Sequence, residues 1–221
     1  MLSQLFRRTI GCGWLIISGP TPEMNDRAIE RLLEVVDLSR PILFLRPNDS
    51  LTLEIEEWAY SLEALLEVPL IYLDLDEVDD RTLFKHWQEA GLIVAAGGDE
   101  FFWFDFLSER MASSPTKLDL TPDQNVWFVG AAGKVLGEWT YIDAIGHIIT
   151  GARWLPGAMI LQLSGGLDGL EPVQDLLRLE TRSYAFNLPG SATIAYGPQN
   201  EFELWGSPGP SIVLGKGWGE A

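Results

Sequence analysis

The feature that most constrains this chain is a repeated alternation. Short runs that are apolar at nearly every position are each followed by a segment whose apolar residues recur at helical spacing. WLIIS (Trp14–Ser18), PILFLR (Pro41–Arg46), VPLIYLDL (Val68–Leu75), GLIVAAGG and VWFVG are such runs. A strand with one wet face would alternate apolar and polar residues, so strands apolar on both faces must be covered on both. Between them, TPEMNDRAIERLLEVVDL puts Ala28, Ile29, Leu32, Leu33 and Val36 on one helical face, with Thr21 as cap and Pro22 in the first turn. Asp49 or Ser50 caps a second helix reaching about Leu66, and a third runs from about Asp80 to Ala90.

The later half continues the pattern and then departs from it. DEFFWFDFLSERM reads as a helix, and a helix-like pattern opens at Lys134 and places Asp143 and His147 four apart on one face. GAMILQL (Gly157–Leu163) reads as a strand and LEPVQDLLRLETRSYAF as a helix. SATIAY, EFELWG and SIVLG are short strands between Gly, Pro and Asn turns. The pattern predicts a flavodoxin-like α/β three-layer sandwich: a mostly parallel sheet, helices on both faces and short antiparallel strands at the C-terminal edge. A length of 221 residues suits one sizeable core, so a single domain over residues 1–221 is expected, with about 1–12 irregular.

Composition narrows the partners. Thirty-two acidic residues against fifteen basic give a net charge of −17, which disfavours nucleic acid or an anionic membrane and equally serves to keep an aromatic-rich chain soluble. The single cysteine, Cys12, precludes an internal disulfide and fits a reducing compartment. With His86 and His147 as the only histidines, neither a metal site nor a cofactor is expected. The apolar part of the N-terminal stretch, Trp14 to Ile17, is too short for a signal peptide, so a cytoplasmic protein is expected.

Ligands of open α/β sheets gather at the carboxyl ends of the strands. Small residues stand there at Gly19, at Gly97-Gly98-Asp99 and at Gly130-Ala131-Ala132-Gly133, where they serve either a pocket rim or simply the turns. The last group lies in VWFVGAAGKVLGEW (Val126–Trp139), a strand-to-helix turn of the kind that carries a nucleophile at its apex in many hydrolases. By sequence the apex falls on Ala131, whose methyl group can attack nothing.

Taken with IVAAGGDEFFWF before it and GARWLPGAMILQL after it, this stretch resembles the cyanophycinase and dipeptidase E group of serine peptidases, of the class I glutamine amidotransferase-like fold. The resemblance spans roughly Trp14 to Leu214. It implies that the family serine falls on Ala131, the histidine on Leu163 and the aspartate two before it on Leu161. The acidic pair near the family's last strands is absent at Thr193–Gly197. A serine and its base work as a unit, so losing both leaves only binding and whatever an oxyanion hole supplies. The groups resembling that hole are the N–H groups of Gly98 and Ala132.

Lys134 stands where the family commonly has alanine, in a first helical turn that disfavours a cation. It either joins Gly98, Asp99, Ala132 and Gly133 in holding a carboxylate or phosphate, or it extends to solvent or pairs with an acid such as Asp99 or Glu138. Phe101, Phe102, Trp103, Phe104 and Phe106 cannot all face one core if they lie on one helix, so part of that stripe is expected to meet a pocket or a second copy. The resulting expectation is an inactive peptidase homologue that binds a small anionic or peptide-like ligand or a protein partner. The alternatives are an active hydrolase with a displaced nucleophile such as Ser113 or Ser114, and a structural, oligomer-forming subunit.

Overall fold

A computed structural model describes residues 13–21, 26–47, 52–111, 120–121, 123–165, 167, 169–199 and 201–218. Pro22, Asp49, Ser50, Ser113, Ser114 and Cys12, and with Cys12 the expected irregular start, lie outside these residues. The apolar runs form the strands β1 (Leu15–Ser18), β2 (Ile42–Arg46), β3 (Leu70–Asp74), β4 (Leu92–Ala95) and β5 (Asn125–Val129). They pair in parallel in the order β1-β5-β4-β2-β3. At the β1 edge, β10 (Thr193–Tyr196) and β11 (Phe202–Leu204) add antiparallel, completing a seven-stranded sheet.

Helices cover both faces of this sheet. On one side α1 (Asp26–Val35) buries Ala28 and Leu32, and α2 (Leu53–Leu66) buries Trp58, Ala59, Leu62 and Leu66, against Ile16, Phe44, Val94 and Trp127. The α2 N-terminus is capped by Thr52, whose side chain accepts from the Ile55 N–H. On the other side α3 (Asp80–Glu89) buries Leu83 and Trp87. It is joined there by α4 (Glu100–Asp105), which runs on through a π-helical turn, Phe106–Arg110. Asp79 caps α3, accepting from the Arg81 and Thr82 N–H groups at 3.0 Å each.

The expected α/β sandwich is present, with a second sheet added. After the short helix α5 (Ala131–Lys134), the segment read as helical is a hairpin: β6 (Gly137–Ile142) and β7 (His147–Thr150) pair Ile142 with His147. Asp143 and His147 therefore flank a turn, with Gly146 at φ 64°, and do not share a helical face. Next come β8 (Leu155–Leu161), α6 (Glu171–Leu179), β9 (Tyr184–Asn187) and β12 (Ser211–Leu214), so the helix expected to reach Phe186 stops at Leu179. The five strands pair in the order β12-β9-β8-β6-β7. One face of this second sheet packs Ala158, Ile160, Tyr184 and Phe186 into the core shared with α3 and α4. The other packs Met159, Leu161 and Ala185 beneath Val173 and Leu177 of α6. Among the described residues no helix is long and apolar enough to cross a membrane.

Candidate functional site

The predicted elbow forms at the end of β5, one residue earlier than expected. The residue in the strained turn conformation is Gly130, at φ 63° and ψ −132°, a region that side chains other than glycine's enter only at a cost. Ala131 is instead the first residue of α5 and is half-buried. The Gly130 N–H donates to the Ser18 carbonyl at the end of β1, and the Gly130 carbonyl accepts the Gly133 N–H at 2.9 Å. Among the described residues, a β-carbon built on Gly130 would meet only the Pro20 Cα, at 3.8 Å. Gly133 has no such room: a β-carbon there would lie 2.8 Å from Ile17, so its absence lets α5 rest against β1.

Across the site, the chain leaves β8 at Leu161. Side chains alternate between the faces of a strand. Leu161 is buried under α6, and Leu163 beyond the strand end packs into the same cluster, away from the elbow. Its main chain is clamped there by Asn187, which accepts from the Leu163 N–H at 2.8 Å and donates to the Leu163 carbonyl. The residue between them, Gln162, turns the other way. Its Nε2 donates to the Gly130 carbonyl at 2.8 Å and to the Ser18 carbonyl at 3.2 Å. Sequence matching missed Gln162, although the parity of GAMILQL carried the signal: Ala158 and Ile160 face the elbow side, so residue 162 does too.

The glycine turn after β4 lies beside the elbow, because α4 packs on α5. Gly97 and Gly98 are at φ 80° and 67°, and the Trp103 indole donates to the Gly97 carbonyl at 2.6 Å. The Asp99 carboxylate caps α4 by accepting from the Phe102 N–H at 2.9 Å. Ala132 is buried in the core. Lys134 is not a cation at the lip of a pocket. It is 3% exposed, and its ammonium donates to Asp143 at 2.6 Å and to Glu100. Its partners are neither Asp99 nor Glu138; the Glu138 carboxylate accepts the Gly157 N–H.

Of the aromatic stripe, Trp103 and Phe106 are buried, and Phe102 and Phe104 pack against the same core. The core therefore takes most of the stripe, and Phe101 stays exposed. His86 lies on α3 and His147 on the exposed start of β7, and the described residues hold no metal-binding cluster. Burial pushes the Tyr184 and Tyr196 phenols up, so neither supplies a phenolate base.

The arrangement has counterparts of known structure. A peptidase from an acI-B1 Actinobacterium superposes with a TM-score of 0.63 over 93% of this chain and 95% of its own, at 14% identity. A putative peptidase E protein from Listeria monocytogenes EGD-e does so with a TM-score of 0.59 over 91% and 98%, at 13% identity. The fold is peptidase-like. No protein-family model and no curated protein matches the chain. Within this peptidase-like fold the strand-to-helix elbow makes a sharp turn at Gly130, flanked by Ala131, the Gln162 amide and Ser18, whose hydroxyl accepts from the Trp127 indole and bonds the Thr193 hydroxyl.

Proposed function

We propose that the chain is a catalytically inactive homologue of the peptidases whose fold it shares, and that it acts by binding. The observation carrying this reading is the pair Gly130 and Gln162. The apex residue has no side chain, and the group reaching its carbonyl is an amide, which cannot serve as a general base near neutral pH. This holds whether the family nucleophile corresponds to Ala131 or Gly130, and whether the base corresponds to Leu163 or Gln162. Since Glu100 and Asp143 already neutralise Lys134, a peptide-like ligand or protein partner is favoured over a small anion.

Incubating the purified protein with β-aspartyl and Asp-containing dipeptides, and separately with a fluorophosphonate probe, is expected to give neither turnover nor labelling. Robust turnover or a labelled serine would end the reading in favour of a displaced nucleophile. Titrating acidic and neutral dipeptides against the elbow resonances by NMR then tests binding. Shifts at Gly130 and Ala132 are expected with both peptides and not with inorganic phosphate.

A further inference from the structure

We infer that the outward face of α2 docks a basic amphipathic helix of a partner protein. In an α-helix, the residues seven and eleven further on return to within about 20° of the first. Leu53, Tyr60 and Ala64 stand at those spacings, and all three are exposed, the first two at 69% and 66%. They lie on the side away from Trp58, Leu62 and Leu66, which hold α2 against the sheet. α2 is thus apolar along its core side and again along a seam that faces water, where a surface helix is ordinarily polar. α3 follows that rule, turning Arg81, Lys85 and Gln88 outward.

Charge selects the occupant. The seam is flanked by Glu56 and Glu63 on one side and Glu57 on the other, and α2 carries no lysine or arginine. The stretch between Arg46 and Arg81 holds eleven acidic residues and no basic one, so it alone accounts for eleven of the seventeen net negative charges. Arg46, whose field reaches Glu56, is already paired with Asp74, and among the described residues no salt bridge reaches Glu56, Glu57 or Glu63. A helix packed along the seam brings its own flanking residues against these carboxylates, as the charged flanks of a coiled coil do. Lysine or arginine there is attracted. A second copy of α2 would set glutamate against glutamate, and nucleic acid or an anionic membrane is repelled outright. The seam covers only three turns, so the contact is small and a Kd on the order of 10 μM is expected. α2 lies on the face of the sheet opposite α4 and α5, so this surface is separate from the elbow and the inference does not depend on the loss of catalysis.

The test is fluorescence anisotropy, titrating the full chain into a labelled helical peptide of about four heptads with leucine along its seam and lysine on both flanks. Saturable binding is expected, weakened about tenfold by Leu53→Ser or Tyr60→Ser, with Tm unchanged because both side chains are exposed. Glu57→Gln combined with Glu63→Gln should also weaken binding at about 50 mM NaCl and flatten its salt dependence. Should Tyr60→Ser fail to fold, Ala64→Lys puts a repelling charge on the same seam at a residue that is already exposed. Absence of saturable binding overturns the inference. So does equal binding of the same peptide with serine along its seam, which would leave charge alone as the cause, and so does binding that ignores every seam variant. A wild type that self-associates and becomes monomeric in Tyr60→Ser overturns it too, making a second copy the occupant.

Discussion

Lys134 shows how far a residue can sit from the role its sequence context suggests. A cation in the first turn after a glycine-rich elbow reads as an anion-binding group, yet it is enclosed, with Glu100 and Asp143 on its ammonium. Glu100 is itself largely buried and Asp143 is half in water, so the pair that matters energetically is Lys134–Glu100. Removing one partner of a buried pair leaves the other without compensation. Lys134→Met is therefore expected to cost about 3 kcal/mol in chemical denaturation. Adding Glu100→Gln should return a large part of that loss, and a double-mutant cycle reads the coupling. Neither partner was legible in the sequence: Glu100 lies 34 residues away on α4, and Asp143 reaches the lysine only because β6 turns into β7. Gln162 was legible in principle, since strand parity alone sets the face it occupies.

At the scale of elements, the strands and helices up to Leu107 were readable because each apolar run is short, uninterrupted and bounded by turn residues. The failure came at Gly137–Thr150, where Trp139, Tyr141, Ile142, Ile148 and Ile149 match a helical spacing and a strand alternation equally well. Pairing decided it, because β6 lies between β7 and β8. Caps fared better. Asp79 heads α3, and its hydrogen bonds from Thr82 and Arg81 hold its carboxyl below the usual range. A carboxyl with a lowered folded-state pKa stabilises above its unfolded value near 4, and that contribution is lost as pH falls through the folded one. Asp79→Ala is thus expected to lower Tm at pH 7 and to flatten the acid limb of the stability curve below about pH 4. Asp79→Asn, which still accepts hydrogen bonds but carries no charge, should lose only the charge-dependent part, lowering Tm at pH 7 less than Asp79→Ala does while flattening the acid limb as well. Thermal scans from pH 2.5 to 7 separate the two.

For the molecule as a whole, the net charge of −17 opposes the compact state through self-repulsion, which dissolved salt screens over roughly 10 Å at 0.1 M. Tm is expected to rise between 10 and 200 mM NaCl, with sulfate and chloride alike at equal ionic strength. A flat response would mean that local ion pairs such as Arg31–Glu203 and Arg46–Asp74 already balance the field.

The placement of β1 has a consequence for how the chain is made. β1 sits between β5 and β10 and touches no strand adjacent to it in sequence, so its neighbours are Val126–Val129 and Thr193–Tyr196. A ribosome adding roughly 5–20 residues per second reaches β5 on the order of ten seconds after finishing β1. Through that interval LIIS is an apolar segment with both edges open. β2, β3 and β4, by contrast, can pair among themselves as they emerge. The exit tunnel, which encloses only about 30 extended residues, releases β1 long before then, so the nascent chain is expected to need that strand shielded by a chaperone until β5 arrives.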